Sequence, residues 1–253
     1  MIWIIGGTKD SRNFVEKILC YENISKEDII VSTATAYGEE LIKNTGVKIS
    51  ARRMEENEMK NFILKNQVSL IVDLSHPYAY NVSLNAIKIS KELDIKYYRF
   101  ERPKLNLEVK NVIYFDDLKK ITDFISNLEG NVLVTLGSNS IDEFKHLKNL
   151  KNIFFRVLPK SEVIKKCEES GILAKNIIAM QGPFTKDLNI ATMKQFNIKY
   201  LVSKKSGDVG GEKEKVEACD YLDVSLIYYE KKEIDYPNCY TDISLLINDI
   251  FMK

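Results

Sequence analysis

Residues 1–21 read MIWIIGGTKDSRNFVEKILCY. A short apolar run, Ile2–Ile5, stops at Gly6-Gly7-Thr8, and apolar side chains then recur at Phe14, Ile18 and Tyr21. The first pattern is that of a buried strand and the second that of an amphipathic helix. Strand, glycine turn and helix together open a βαβ unit. The same alternation continues to the end of the chain. Further strands are predicted at Ile29–Thr33, Leu70–Leu74, Tyr97–Phe100, Val132–Leu136, Ile153–Arg156, Ile177–Met180, Tyr200–Ser203 and Ser225–Tyr229, and a last helix over Thr241–Met252. Nine strands suit two sheets of four to five better than one open sheet. The expected fold class is therefore α/β: two Rossmann-like three-layer domains with parallel sheets, facing each other across a cleft. The least regular stretch, Glu101–Lys110, carries Pro103. It sets the expected boundary between an N-terminal domain over 1–104 and a C-terminal domain over 105–253.

Composition narrows the function classes. The chain has 253 residues, with 37 Lys and Arg against 36 Asp and Glu, a formal net charge of +1. That balance argues against a nucleic-acid groove or a membrane-surface patch, both of which show a basic excess. The longest apolar run, Met1–Ile5, is far short of the ~20 residues a membrane span needs, and no basic-then-apolar leader opens the sequence. A cytoplasmic protein is expected. Cys20, Cys167, Cys219 and Cys239 are scattered without metal-ligand spacing, so neither a metal site nor thiol chemistry is expected.

Glycine and proline collect after the predicted strands. The sequences there are Gly6-Gly7-Thr8, Ser75-His76-Pro77, Glu101-Arg102-Pro103, Gly137-Ser138-Asn139, Leu158-Pro159, Gln181-Gly182-Pro183-Phe184 and Lys204-Lys205-Ser206-Gly207, with Gly210-Gly211 just beyond. In a parallel sheet these loops open on the carboxyl edge, where α/β folds bind ligands. Ordinary turns would use glycine at both edges, yet only Gly46, Gly130 and Gly171 fall at the other. Gly6, Gly7 and Thr8 ahead of a helix suit a dinucleotide pyrophosphate, although a plain tight turn would read the same way. The second predicted strand ends in Ser32-Thr33-Ala34-Thr35, with no carboxylate to hold an NAD ribose. Hydroxyls there tolerate a 2′-phosphate, so NADPH is preferred to NADH.

Two charged groups point to an anionic substrate. Only six of the basic residues are Arg, and two of them, Arg99 and Arg102, flank Glu101 at a strand end. A guanidinium binds carboxylates in two-point fashion, which Lys cannot copy, while an Arg–Glu network is the competing reading. Lys204, Ser206, Gly210, Gly211 and Lys213 make a basic, glycine-rich loop of the kind that cradles anions, or a solvated mobile loop. His76 beside Pro77 is either a helix-capping residue or a contact to nicotinamide or substrate. His146, in a Lys-rich helical stretch, reads as solvated.

Six motifs in order, GGTKDSR (6–12), DLSHPYA (73–79), RFERP (99–103), RVLP (156–159), QGPF (181–184) and LVSKKSGDVGGEKEKVEA (201–218), make the chain similar to the precorrin-6A reductase family, including its cobalt-precorrin-6A branch, of cobalamin biosynthesis. The likeness spans almost the whole chain. It departs from the family where Asp10-Ser11 replaces an acidic-Ala pair, and where STATAYG lacks an Arg near a 2′-phosphate, leaving Lys48 or Arg52 as distant substitutes. What the resemblance implies is NADPH-dependent reduction of one carbon–carbon double bond in a macrocyclic tetrapyrrole. It implies NADPH across Gly6, Gly7, Thr8, Ser32, Thr33, Thr35, Ser75, His76 and Pro77. Substrate carboxylates would lie on Arg99, Arg102, Lys204, Ser206, Gly210, Gly211 and Lys213, with Lys204 or His76 as proton donor. The implied partners are the tetrapyrrole and transient contacts with neighbouring enzymes of the pathway. A non-catalytic NADPH sensor and an NADPH-dependent reductase of another anionic molecule are the alternatives.

Overall fold

The computed structural model describes residues 1–103, 107–205, 210–230 and 233–252. The chain begins with β1 (Ile2–Ile5), α1 (Lys9–Ile18), β2 (Ile29–Thr33), α2 (Ala36–Lys43), β3 (Lys48–Ala51), α3 (Glu56–Lys65), β4 (Leu70–Asp73), α4 (Tyr80–Glu92) and β5 (Lys96–Phe100). It continues with β6 (Val112–Phe115), α5 (Leu118–Ser126), β7 (Asn131–Val134), α6 (Ile141–Phe144), β8 (Ile153–Val157), α7 (Ser161–Glu169), β9 (Ile177–Ala179), α8 (Lys186–Gln195) and β10 (Ile198–Lys204). It closes with α9 (Glu212–Leu222), β11 (Ser225–Tyr229), β12 (Cys239–Tyr240) and α10 (Ile243–Phe251).

The strands form two six-stranded sheets, ordered β12-β5-β4-β1-β2-β3 and β6-β11-β10-β7-β8-β9. Every pairing is parallel. Each sheet reverses its order at one point, between β1 and β4 in the first and between β7 and β10 in the second. Ligands of open α/β sheets bind at the carboxyl side of such switch points. The expected nine strands become twelve. The three added ones, β3, β6 and β12, all lie at sheet edges; β3 and the two-residue β12 lack a continuous apolar run, whereas β6 (VIYF) has one that follows the irregular 101–110 stretch.

The boundary after Pro103 is followed by a return. Contacts group Met1–Pro103 with Glu233–Lys253, and Lys104–Lys232 by themselves. The expectation that 105–253 forms one C-terminal domain is corrected by this arrangement. β12 pairs with β5 through Cys239 with Arg99 and Tyr240 with Phe100. Leu246 and Ile247 of α10 are buried with Ile4, Phe14, Val31 and Val72 of the first unit. The sixth place in each sheet is thus taken by the strand that follows the other sheet's fifth: β6 beside β11, and β12 beside β5.

Both faces of each sheet are covered, as parallel sheets require. In the first unit β1 sends Ile4 to the α1 and α10 face, and Trp3 and Ile5 to the face covered by Phe62 of α3 and Ala86 of α4. In the second, Val132 and Val134 face Ile121 of α5 and Phe144 of α6. Leu133, Leu201 and Leu226 face Met193 of α8 and Val216 of α9. These packed layers hold the carboxyl-edge loops in place.

Candidate functional site

At the first switch point the β1–α1 turn is built from close backbone approach. Gly7 has φ +89°, and a Cβ on it would sit 3.3 Å from Gly38 Cα. A Cβ on Gly6 would meet Val31 Cγ1 at 2.8 Å, and one on Gly38 would meet Gly7 Cα at 2.8 Å. Thr8 caps α1: its hydroxyl accepts from the Ser11 N–H, and the Ser11 hydroxyl accepts from the Thr8 N–H. The Thr8 hydroxyl also donates to the Leu74 carbonyl at 2.9 Å, tying this turn to the end of β4.

The β2–α2 loop supplies hydroxyls with different duties. Ser32 accepts the Trp3 indole N–H at 2.9 Å. Thr35 caps α2 by accepting from the Gly38 N–H at 3.0 Å. Thr33 is 2 % exposed and its hydroxyl has no hydrogen-bond partner, a state a folded protein seldom leaves uncompensated. Its Cβ and Cγ2 are the next atoms a Gly7 side chain would meet. The orphan hydroxyl therefore lies beside the glycine turn at the α1 N-terminus. Lys48 faces Asn66 at 3.4 Å, and Arg52 is exposed.

Beyond β4 stands a buried polar network. The Asp73 carboxylate accepts from the Ser75 N–H, the Ser83 hydroxyl, the Tyr97 hydroxyl and Arg99 Nη1 at 2.6–2.9 Å. Burial alone would raise its pKa, but Arg99 and these donors outweigh burial and hold the carboxyl below the usual range. Arg99 is wholly buried and also pairs with Glu101 at 2.5 Å. Its Nη1 donates to the Ser75 hydroxyl at 2.9 Å, and its guanidinium carbon lies 5.0 Å from the centre of the Tyr236 ring. Arg99 therefore presents no open fork to a substrate, and the expectation is corrected: its charge is consumed by Asp73 and Glu101. The Ser75 side chain likewise turns inward. Arg102 donates to Asp10 in the first turn of α1 at 2.8 Å, with both side chains mostly covered. His76 is exposed, and its Nδ1 accepts from the Tyr78 N–H at 3.2 Å. Pro77 beside it is half-buried.

In the second unit the carboxyl edge carries cations that sequence reading did not single out. Arg156 near the end of β8 is 7 % exposed and Lys215 of α9 is 8 % exposed. Arg156 Nη1 donates to Asn189 Oδ1 of α8 at 2.7 Å, and its guanidinium carbon stands 4.1 Å from the centre of the Phe184 ring. Lys215 donates to the Ser203 hydroxyl at 2.9 Å. The carboxylate of Glu212, also buried, accepts from the Tyr228 hydroxyl at 2.9 Å. Burial, reinforced by Arg156, pulls the Lys215 ammonium down to about 8, against an opposing pull from Glu212. Burial lowers Arg156 to about 10 and lowers Lys204, which is half-buried at the end of β10. Of the expected cradle, Lys213 is exposed, Gly210 is half-buried, and Gly211 is buried ahead of α9 with φ +65°. Ser206 lies outside the described residues. One signal was available: RVLP places one of six arginines at a strand end, as RFERP does. Among the described residues no group of three or more His, Cys, Asp or Glu could hold a metal ion, and no helix is long and apolar enough to cross a membrane.

Comparison with known proteins places these edges in context. The model of the family described as Precorrin-6x reductase CbiJ/CobK matches residues 1–250. The chain belongs to this family. The protein is a reductase, and its relatives match it nearly end to end. It is 33% identical to the cobalt-precorrin-6A reductase of Methanocaldococcus jannaschii, over 98% of this chain and 96% of that protein. It is 30% identical to the cobalt-precorrin-6A reductase of Priestia megaterium, over 98% of this chain and 97% of the relative. Among solved structures, one described as CobK precorrin-6A reductase superposes with a TM-score of 0.78 at 16% identity, covering 98% of this chain and 95% of that one. That likeness bears on the fold, two parallel sheets with covering helices, which the precorrin-6x reductase shares.

Proposed function

We propose that this reductase uses NADPH to saturate one carbon–carbon double bond of the macrocycle precorrin-6A, or of its cobalt form, within cobalamin biosynthesis. The observation that carries the cofactor assignment is the first switch point. The glycine turn, the α1 N-terminus and the orphan Thr33 hydroxyl adjoin a β2–α2 loop without an acidic side chain. The residues fit the group. Gly6, Gly7 and Thr8 would receive the diphosphate, with Thr33 and Thr35 toward the ribose and Ser75, His76 and Pro77 along the β4 side. Bound NADPH supplies the hydride.

The chain's own part is to orient the two reactants and to deliver a proton. Hydride addition to one carbon of the double bond must be matched by a proton on the other. His76, exposed at the first switch point, and Lys204, whose ammonium is made more acidic by burial, are the two side chains we assign to that proton. The substrate's acetate and propionate carboxylates call for cations on the second unit's carboxyl edge, where Lys204 and Lys213 stand. A cytoplasmic location and transient contacts with neighbouring enzymes of the pathway complete this reading.

Anaerobic absorbance measurements at 340 nm test it. Purified protein with NADPH and either precorrin-6A or its cobalt form should oxidise one NADPH per macrocycle reduced. NADPH binding without oxidation in the presence of either form would replace the enzyme by a sensor. Oxidation with NADH at equal efficiency would remove the 2′-phosphate assignment.

A further inference from the structure

Two buried cations in the second unit, Arg156 and Lys215, make no close ion pair, although Glu212 and Glu214 pull on Lys215 from farther away. Neither Arg156 nor Lys215 lies within ion-pair distance of a carboxylate among the described residues. Arg156 is satisfied by a neutral amide, Asn189, and Lys215 by a neutral hydroxyl, Ser203. Their neighbour Glu212 is engaged by Tyr228. Arg156, bonded to Asn189 of α8, and Lys215 of α9, bonded to Ser203 of β10, stand on the same covered face of the sheet, where Arg156 makes the Lys215 ammonium more acidic. This layer sits between the sheet and helices α8 and α9. Below it Leu133, Leu201, Leu226 and Met193 form dry core. Glu212 and Glu214 offset only part of what burial costs Lys215, whose ammonium stays below its ordinary value. Buried, strongly perturbed charges of this kind cluster at ligand-binding and catalytic sites.

We propose that Arg156 and Lys215 form a carboxylate subsite at the carboxyl edge of the second sheet, which takes one side-chain carboxylate of the anionic substrate. The assignment rests on the macrocycle-reductase reading above and deepens it. Phe184 covers one face of the Arg156 guanidinium and Asn189 holds one edge, so the fork is fixed before ligand arrives and little ordering entropy remains to be lost. Lys215 adds a point charge anchored on Ser203. A carboxylate between them replaces the repulsion of two cations by two attractions. The facing groups are Arg156 from β8, Ser203 from β10, Glu212, Glu214 and Cys219 from α9, and Tyr228 from β11. Of these, Glu212 and Glu214 are the carboxylate side chains.

The test uses Arg156→Gln and Lys215→Met in the full-length chain. Gln preserves a polar partner for Asn189, and Met preserves the volume of Lys. With precorrin-6A and NADPH, each variant should raise KM for the macrocycle at least tenfold while leaving NADPH affinity and the melting temperature of Lys215→Met undiminished. An octacarboxylate porphyrin, titrated by fluorescence, gives a readout that needs no turnover. The unmodified protein should bind it at least tenfold more tightly than its methyl ester, and either variant should abolish that preference. If turnover proceeds but neither substitution changes KM or the acid-to-ester preference, the subsite is overturned and the reductase reading stands. If turnover is absent but the preference depends on Arg156 and Lys215, the subsite stands and the reading falls. Absence of both overturns the subsite.

Discussion

Arg99 Nη1 lies 2.7 Å from Asp73 Oδ1, and neither side chain reaches solvent. Breaking a buried pair from one side leaves a stranded charge, which typically costs about 3–5 kcal/mol. Arg99→Met should lower the unfolding free energy by that amount, seen as a lower denaturation midpoint. Asp73→Leu with Arg99→Met should cost less than Arg99→Met alone, because the buried Asp73 carboxylate is gone and only the part-exposed Glu101 loses its cation. Chemical denaturation of the single and double variants checks this.

Acid unfolding should report the same pair. The folded Asp73 carboxyl is held below its ordinary value, so its contribution is complete above about pH 4 and is lost as pH falls through the lowered value. Asp73→Asn should show a shallower loss of stability below pH 4 than the parent, measured by melting temperature from pH 6 to pH 2.

Gly7 and Gly38 touch through their backbones. Gly38→Ala should therefore weaken NADPH binding much as Gly7→Ala does, by tenfold or more, although Gly38 was assigned no ligand contact. Fluorescence titration of NADPH into each variant decides. Unchanged affinity in Gly38→Ala would show that the turn can shift without loss.

Arg102 neutralises Asp10 in the first turn of α1. Arg102→Ala would leave an uncompensated carboxylate where the diphosphate is assigned, a penalty of about 1 kcal/mol at a partly covered site. The expected result is an approximately fivefold rise in KM for NADPH with little change for the macrocycle.

The four thiols should divide in two. Cys20 and Cys239 are exposed, whereas Cys167 and Cys219 are buried and burial pushes Cys219 up to about 12. A thiol-reactive dye should label two cysteines promptly at pH 8, and the other two only after unfolding.

Reading residues alone goes far for interior strands and poorly for edges and for charge. β1, β2, β4, β7, β8 and β10 announce themselves as β-branched or aromatic runs because both faces are covered. β3 is half-exposed and β12 only two residues long, so neither leaves such a mark; β6, Val112–Phe115, is such a run but follows directly on the irregular 101–110 stretch. The glycine turn was visible because backbone proximity at Gly7 demands glycine. For Arg99 the pairing with Glu101 matches the competing Arg–Glu reading, but its burial against Asp73 was not legible, because Asp73 is distant in sequence and adjacent only across the β4–β5 ladder. Lys215 was hidden by number: among thirty-one lysines, only packing distinguishes the one that α9 buries from Lys213 two places earlier.

The sixth-strand exchange has a consequence for synthesis. During translation the first sheet has five strands by Phe100, yet its edge beside β5 stays open until Cys239 and Tyr240 emerge. The cover over Ile4 and Phe14 is incomplete until Leu246 and Ile247 follow. The half of the molecule made first is finished last. Loss of only the final twenty or so residues should therefore damage the nucleotide-assigned unit at the start of the chain, and leave the sheet made just before them whole.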